Sequence, residues 1–463
     1  MKKDGFRRGI SAGTILMISL TLLVLAGFAW LFPKLSGQKS ITNGTKQIAM
    51  LLTENLSLPE LKLEEIPIFA PHTEAPATPQ PSQAAYVTAS TATPAPTAAP
   101  TPALAAVVTV QATAKPTPAP EVRTLSITAA GDIAIRTGVR QSAYISSAKT
   151  YDTVPLMQYL NANADLSIAT LHNTLLDSEN FTDVNTSPSF LDMIRASGFN
   201  TLMLGTENIL DAGMNGLNET VSTVRAKGFT AVGANRNEAE HDTRLIMTVN
   251  GIQVAILHYQ ATLSKVGKSK TSQAEQLYAV RMLDMETAKA DIGKAREEGA
   301  RVVIVSLHWG SANGTEPTKE QRTQAQQLAD AGADLILGSH SGTVQTVEYL
   351  TGTGTDGTKH PTLVAYSLGS LLTDSREGPD IAGMLLHVSL AYDPGKDTLI
   401  FEHVSATPTY IWRYQENDKY RYRVVPSNGQ APDGMSTSQQ EVMGRALTRV
   451  EKALSGTPAA LTK

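Results

Sequence analysis

Seven positions in this sequence set a reactive side chain at or just after an apolar run. They are Asp132 after "TLSITAAG", His172 in "ATLHN", Thr206-Glu207-Asn208 after "FNTLMLG", His258 in "ILHYQ", His308 in "SLHWG", His340 in "LGSHSG" and Ser367 in "YSLGS". In an open α/β sheet, ligands and catalytic groups gather at the C-terminal ends of strands. A lone strand-end His is more often a satisfied structural group than a ligand. Asp132, His308 and His340 each follow an apolar strand, and together they point to a shared polar pocket. Carboxylate and imidazole suit divalent ions such as Mn, Fe or Zn. Such an ion could activate water or clamp a phosphate.

The elements that must position these groups alternate densely from Arg123 onward. "TLSITAAGD", "DLSIATL", "FNTLMLG", "FTAVGA", "ARVVIVSLHWG", "ADLILGSH", "VQTVEYL" and "TLVAYSLGS" read as strands. "TVPLMQYLNANA", "SPSFLDMIRASG", "NGLNETVSTVRAKG", "DMETAKADIGKAREEG" and "TKEQRTQAQQLADAG" carry helical spacing. "RLIMTVNG" and "IQVAILHY" form an expected hairpin turned at Asn250-Gly251. Strands alternating with helices of 10–15 residues predict crossover units around a largely central sheet. The domain is expected to close at about 410–415. The tail 416–463 predicts one more helix, with Ser438 as cap and Glu441 completing a capping box.

Other candidates are weaker. "GTGTDG" opens no helix and reads as an exposed hairpin loop rather than a phosphate loop. No G-x-S-x-G elbow occurs, so Ser367 reads as a packed loop residue. Asp165 and Asp334 read as turn residues. Cysteine is absent, which excludes disulfides, thiolate nucleophiles and Cys-type zinc sites. A net charge of −4 gives no reason to expect nucleic acid as a partner.

The N-terminus carries a different message. Lys2, Lys3, Arg7 and Arg8 precede a run without charge from Gly9 to Pro33. About 20 apolar residues suffice to cross the hydrocarbon core. Residues 10–32 therefore predict a transmembrane signal-anchor, with residues 1–9 cytoplasmic and the bulk of the chain extracellular. The alternative is a cleaved signal peptide, with Gly27 and Ala29 near the cut and a secreted product. Residues 33–70 read as a membrane-proximal stalk. Residues 71–120 are rich in Pro, Thr and Ala and read as a disordered spacer.

The order of the motifs carries a resemblance. "TAAGDIAI", "ADLSIATLHNTLLD", "GFNTLMLGTENILDAG", "VVIVSLHWG…EPTKEQRTQAQQLADAGADLILGSHSG" and "LVAYSLGSLL" occur in one order. Over about residues 124–405 the chain resembles the CapA family of bacterial capsule-synthesis proteins, the poly-γ-glutamate group. The resemblance implies a calcineurin-like metallophosphoesterase fold, layered α/β with central mixed sheets. It also implies an anionic capsule or wall polymer as partner, with other capsule-synthesis membrane proteins as further partners. Asp132, His308 and His340 match the family's site. The family's Asn-Leu-Glu is replaced by Thr170, Leu171 and His172, its Asn-Asn-His by Thr206, Glu207 and Asn208, and its last His by Gly342. In metallophosphoesterases of this kind the His of Asn-His is the usual proton donor, and Asn208 cannot supply a proton.

Two readings of the altered shell stay open. In one, the site has decayed, no tight metal is held, and the protein handles the polymer without ordinary phosphoesterase turnover. In the other, His172 and Glu207 rebuild a site for one divalent ion (Mn, Fe or Zn) with Asp132, His308 and His340, and the protein is an active metal-dependent hydrolase or transferase. Asp211 is expected to cap the helix after the altered loop, and Gly213 to permit its turn.

Overall fold

The computed structural model describes residues 121–463 apart from Glu179, Thr355, Asp356, Glu377 and Lys463. The expected cytoplasmic N-terminus, anchor, stalk and spacer (1–9, 10–32, 33–70 and 71–120) lie outside the described residues. Among the described residues no helix is long and apolar enough to cross a membrane.

Two sheets stack face to face. The first is built on β1 (Arg123–Ile133), β4 (Leu166–Leu171), β7 (Thr201–Met203), β8 (Thr230–Val232), β16 (Ala382–Asp393), β17 (Thr398–Glu416) and β18 (Lys419–Pro426), in the order β18-β17-β16-β1-β4-β7-β8. Two short strands join it: β15 (Ser370–Leu372) pairs β1 and β19 (Ala460–Leu461) pairs β17. The second sheet comprises β9 (Leu245–Val249), β10 (Ile252–Gln260), β11 (Val302–His308), β12 (Leu335–Ser339), β13 (Val347–Thr353) and β14 (Lys359–Ala365), in the order β13-β14-β12-β11-β10-β9. The pairs β2 (Tyr144–Ile145) with β3 (Thr150–Tyr151) and β5 (Thr174–Leu175) with β6 (Asn185–Thr186) are small ribbons outside both sheets. The helices are α1 (Thr137–Ala143), α2 (Phe190–Ala196), α3 (Gly213–Ala226), α4 (Glu238–Asp242), α5 (Lys265–Lys270), α6 (Gln273–Ala279), α7 (Met285–Glu297), α8 (Lys319–Asp330) and α9 (Thr437–Ala453).

The side-chain alternation of the strands explains the layering. Leu125, Ile127 and Ala129 of β1 share one apolar core with Val254 and Ile256 of β10 and Val302 and Ile304 of β11. Their neighbours face outward. Ala130 and Ile133 pack in a second core with Leu191 of α2 and Leu217 of α3. Ala255, Leu257, Val303 and Val305 pack in a third with Ile292 of α7 and Leu328 of α8. Strands buried on both faces read as continuous apolar runs, which is how these segments appear in the sequence. The expected alternating architecture is therefore present as helix, sheet, sheet, helix, with strands running both parallel and antiparallel in each sheet.

Several local expectations hold. Asn250 and Gly251 turn the β9–β10 hairpin with φ of 50° and 76°, the positive pair that a tight primed turn requires. Of "GTGTDG", Gly352 and Thr353 end β13 in antiparallel register with His360 and Lys359 of β14, and the Gly354 N–H donates to the Thr358 carbonyl at 2.8 Å.

Others need correction. The segment 153–164 is not a helix. Only Val154–Met157 forms a 3-10 turn, with Pro155 in its first turn, where its missing N–H costs no hydrogen bond. Its helical spacing instead reflects burial of Leu156, Met157, Leu160 and Ala162 in the second core. Asp211 does not cap α3. Ala212 holds that position without a side-chain bond. Ser436, rather than Ser438, caps α9 in a capping box with Gln439. The chain also continues its first sheet past the expected boundary at 415: β18 pairs along β17 from Glu416↔Lys419 to Thr409↔Pro426, and Met443, Ala446 and Val450 of α9 join the intersheet core.

Candidate functional site

The end of β1 brings the first donor. Gly131 lets β1 approach the neighbouring loop: a Cβ there would lie 1.8 Å from the Gly369 carbonyl oxygen. Asp132 follows, 4% exposed. Its Oδ2 accepts a 3.0 Å hydrogen bond from the backbone N–H of His340. His340 adopts φ of 93°, a conformation that a bulky side chain takes only when its surroundings fix it. The bond that its N–H donates to Asp132 is one such constraint.

β11 and β12 are parallel neighbours and end side by side, with His308 opposite Ser339. His308 Nδ1 lies 3.1 Å from Ser339 Oγ, and its Nε2 lies 3.1 Å from His340 Nδ1. A Cβ at Gly338 would lie 1.8 Å from the Tyr366 carbonyl oxygen, so only glycine lets β12 pass here. His172 follows β4, and its ring centroid is 5.0 Å from that of His308. The His308–His340 centroid separation is 4.7 Å.

The loop between β7 and α3 supplies Glu207. Its side chain is 37% exposed, and Oε2 lies 3.8 Å from His340 Nδ1. Asn208 is turned elsewhere: its Nδ2 donates to Asp211 Oδ2 at 2.9 Å. Asp211 in turn accepts from Ser264 Oγ. Gly213 has φ of 68°, as the turn into α3 needs.

So the structure brings together Asp132, His172, His308, His340 and Glu207. It leaves Asn208 bound to Asp211 and separates His258 and Ser367. His258 is buried, with Nδ1 3.1 Å from Ser306 Oγ and Nε2 2.6 Å from the Gly205 carbonyl oxygen. It braces the loop between β7 and α3 from behind. Ser367 Oγ accepts from Ser341 Oγ at 2.8 Å, a packed loop contact as read from the sequence. Asp165 and Asp334 do more than turn the chain: each binds a backbone N–H of a neighbouring strand, Ser126 and Val303 respectively. Sequence reasoning missed Ser339, which orients His308. Its only signal was its place before a strand-end histidine.

The electrostatics favour neutral imidazole. Burial pushes the His308 pKa well below the usual value, and positive charge on the nearby His172 and His340 would push it further down. Burial likewise lowers His258 to about 4. A neutral imidazole is the form that binds a metal.

Whether a cation fits can be tested on the donors themselves. Asp132 Oδ1 and His172 Nε2 lie 3.1 Å apart, yet they do not align as a hydrogen bond. Both atoms are buried and neither has another hydrogen-bond partner. Buried polar atoms without partners are costly and rare. Two donor sets, Asp132/His172/His308 and Glu207/His308/His340, each keep their ligand atoms within 4.8 Å of one another. Oxygen and imidazole donors at this spacing fit a divalent ion such as Mn, Fe or Zn.

Comparison with known proteins adds the family. The model of the bacterial capsule synthesis protein PGA_cap family matches residues 126–375. The chain is 26% identical over 185 residues to the capsule biosynthesis protein CapA of Bacillus anthracis, covering 39% of this chain and 42% of that protein. It is 26% identical over 192 residues to the PGA biosynthesis protein CapA of Bacillus subtilis, covering 41% of this chain and 47% of that protein. The matched region thus spans less than half the length of either relative. Among solved structures, the calcineurin-like phosphoesterase YfkN from Bacillus subtilis aligns with 14% identity and a TM-score of 0.35, over 72% of this chain and 99% of that one. The family match covers more than half of the chain: this protein belongs to the bacterial capsule synthesis PGA_cap family.

Proposed function

We propose that this protein binds one divalent metal ion at the rebuilt cluster and uses it to hold an anionic capsule or wall polymer, in a calcineurin-like scaffold outside the cell. The observation that carries the reading is that Asp132 Oδ1 and His172 Nε2 are buried 3.1 Å apart with no hydrogen-bond partner. Asp132, His172 and His308 would hold the ion, with His340 and Glu207 on its flank. Bound there, the ion supplies a Lewis acid for an anionic oxygen. Asp132 fixes the His340 backbone, Ser339 orients His308, and the sheets exclude water from the inner donors. Asn208 offers no acid and is occupied by Asp211, so leaving-group protonation, worth about 10²–10⁴-fold, is missing from this loop. The reading is therefore polymer handling without ordinary phosphoesterase turnover.

A second reading rests on Glu207. Its carboxylate is partly exposed at the edge of the cluster, where it could serve as a general base for metal-dependent hydrolysis.

The charged N-terminus followed by an uncharged run from Gly9 to Pro33 supports a single-pass membrane anchor for the same protein. Fractionation of expressing cells tests it: recovery in the soluble secreted fraction would contradict an anchor.

Elemental analysis of the purified protein, with thermal melting in added Mn or Zn, tests the metal. Bound metal near one equivalent and a raised Tm are expected. No metal and an unmoved Tm would overturn the reading. Phosphodiester hydrolysis at ordinary enzyme rates would favour the second reading over the first.

A further inference from the structure

The clustered donors form two sets, Asp132/His172/His308 and Glu207/His308/His340, and His308 belongs to both. Its tautomer decides what it can offer. Ser339 Oγ donates to the Leu307 carbonyl oxygen at 3.4 Å, so it accepts from His308 Nδ1 at 3.1 Å. Nδ1 therefore carries the proton of the neutral ring, and Nε2 keeps its one free lone pair. One lone pair binds one ion. Two divalent ions crowded around a single buried nitrogen would also repel each other strongly.

The two sets differ in their access to solvent. In the inner set, His308 is 1% exposed, and Asp132 Oδ1 and His172 Nε2 are buried atoms. The outer set opens outward, because the Glu207 side chain is the most exposed of the five donors. His340 links the outer carboxylate to the shared nitrogen: its Nδ1 lies 3.8 Å from Glu207 Oε2 and 3.1 Å from His308 Nε2. Asp132 ties the sets together. Its Oδ1 faces His172, while its Oδ2 accepts from the His340 N–H and fixes where that ring begins. An ion coming from solvent therefore meets a charged, accessible donor first and the enclosed donors last.

We propose that the cluster holds one divalent ion at a time, with Glu207 and His340 as its entry position and Asp132 and His172 as its buried seat, the two joined across His308. The proposal rests on the metal-binding reading above and adds a stoichiometry and a route. Glu207 attracts the cation from solvent by charge. That attraction persists from the flank once the ion is seated, so loss of the carboxylate falls on association. Asp132 meets the ion only at the seat, so its loss falls on release.

The test is stopped-flow absorption with Co(II), a coloured stand-in for Zn(II), and the purified full chain in detergent. One equivalent should bind. Glu207→Gln should slow association about tenfold, flatten its fall with added salt and leave dissociation nearly unchanged. Asp132→Asn should do the reverse, with dissociation about 100-fold faster and association near normal. Glu402→Gln on β17, also exposed, changes the net charge equally and should leave both rates alone. Two equivalents of similar affinity would overturn the single occupancy. Unchanged association in Glu207→Gln, or equal slowing in Glu402→Gln, would overturn the entry position. The two readings fail separately. Wild-type protein that binds no Co(II) defeats the metal site itself, whereas protein that binds it at a rate indifferent to Glu207 defeats only the route.

Discussion

Asp132, His308 and His340 stand at the ends of β1, β11 and β12, whereas Glu207 and Asn208 stand on the loop between β7 and α3. The first group is held by sheet register and by glycines that admit no side chain. The second is held through its backbone: the Gly205 carbonyl meets His258, and the Glu207 carbonyl accepts from the Ser264 N–H at 2.9 Å. A loop braced through its backbone keeps its path while its side chains change.

The sharpest way to break this contrast is at Gly338. Gly338→Ala forces a Cβ against the Tyr366 carbonyl and should cost about 4 kcal/mol or more, read by urea unfolding. A near-native midpoint would mean that the strand ends are as adaptable as the loop.

His258 probes the brace behind the loop. Its pKa is about 4 in the folded protein against 6.5 ordinarily, through burial. The unfolded chain therefore binds the proton first as the pH falls. Stability is held in full above about pH 6.5 and lost as the pH falls from there through about 4, by on the order of 3 kcal/mol. Unfolding free energies between pH 7.5 and 4 should show this slope, and His258→Gln should flatten it. An unchanged slope in the variant would remove His258 from the account.

Asp132→Asn should weaken Mn binding by about 100-fold, and Glu207→Gln by about tenfold, both read by calorimetric titration. Equal losses would make Glu207 as much a ligand as Asp132. No loss at Glu207 would confine the ion to the strand-end donors and His172. The smallest effect is expected at Gly213, where a Cβ meets only the Lys270 carbonyl oxygen at 3.7 Å. With φ at 68°, Gly213→Ala should cost about 1 kcal/mol in thermal melting.

Much of the site was legible because it sits on strands buried on both faces. "VVIVSLH" and "ADLILGSH" can be little else, and their last residues must share one edge of the sheet. The contact of His172 with Asp132 was less legible, since no spacing rule ties positions on neighbouring strands. The partner of Asn208 was illegible: Asp211 reads as a helix cap until the fold brings Ser264 and Asn208 to it. The C-terminal strands were hidden for another reason. "TLIFEHVSATPTYIWRYQE" mixes charge and proline with its apolar residues, because part of β17 faces solvent and part faces α9.

The length of β17 has a practical consequence. Its 19 residues pair with β16 on one side and β18 on the other. A protein cut after residue 415, where the sequence suggests a boundary, would strip β18 and α9 from that strand. It would expose a long open edge and uncover Trp412, a combination that invites edge-to-edge aggregation. Insoluble protein from such a truncation would report a damaged sheet, not an unstable family fold.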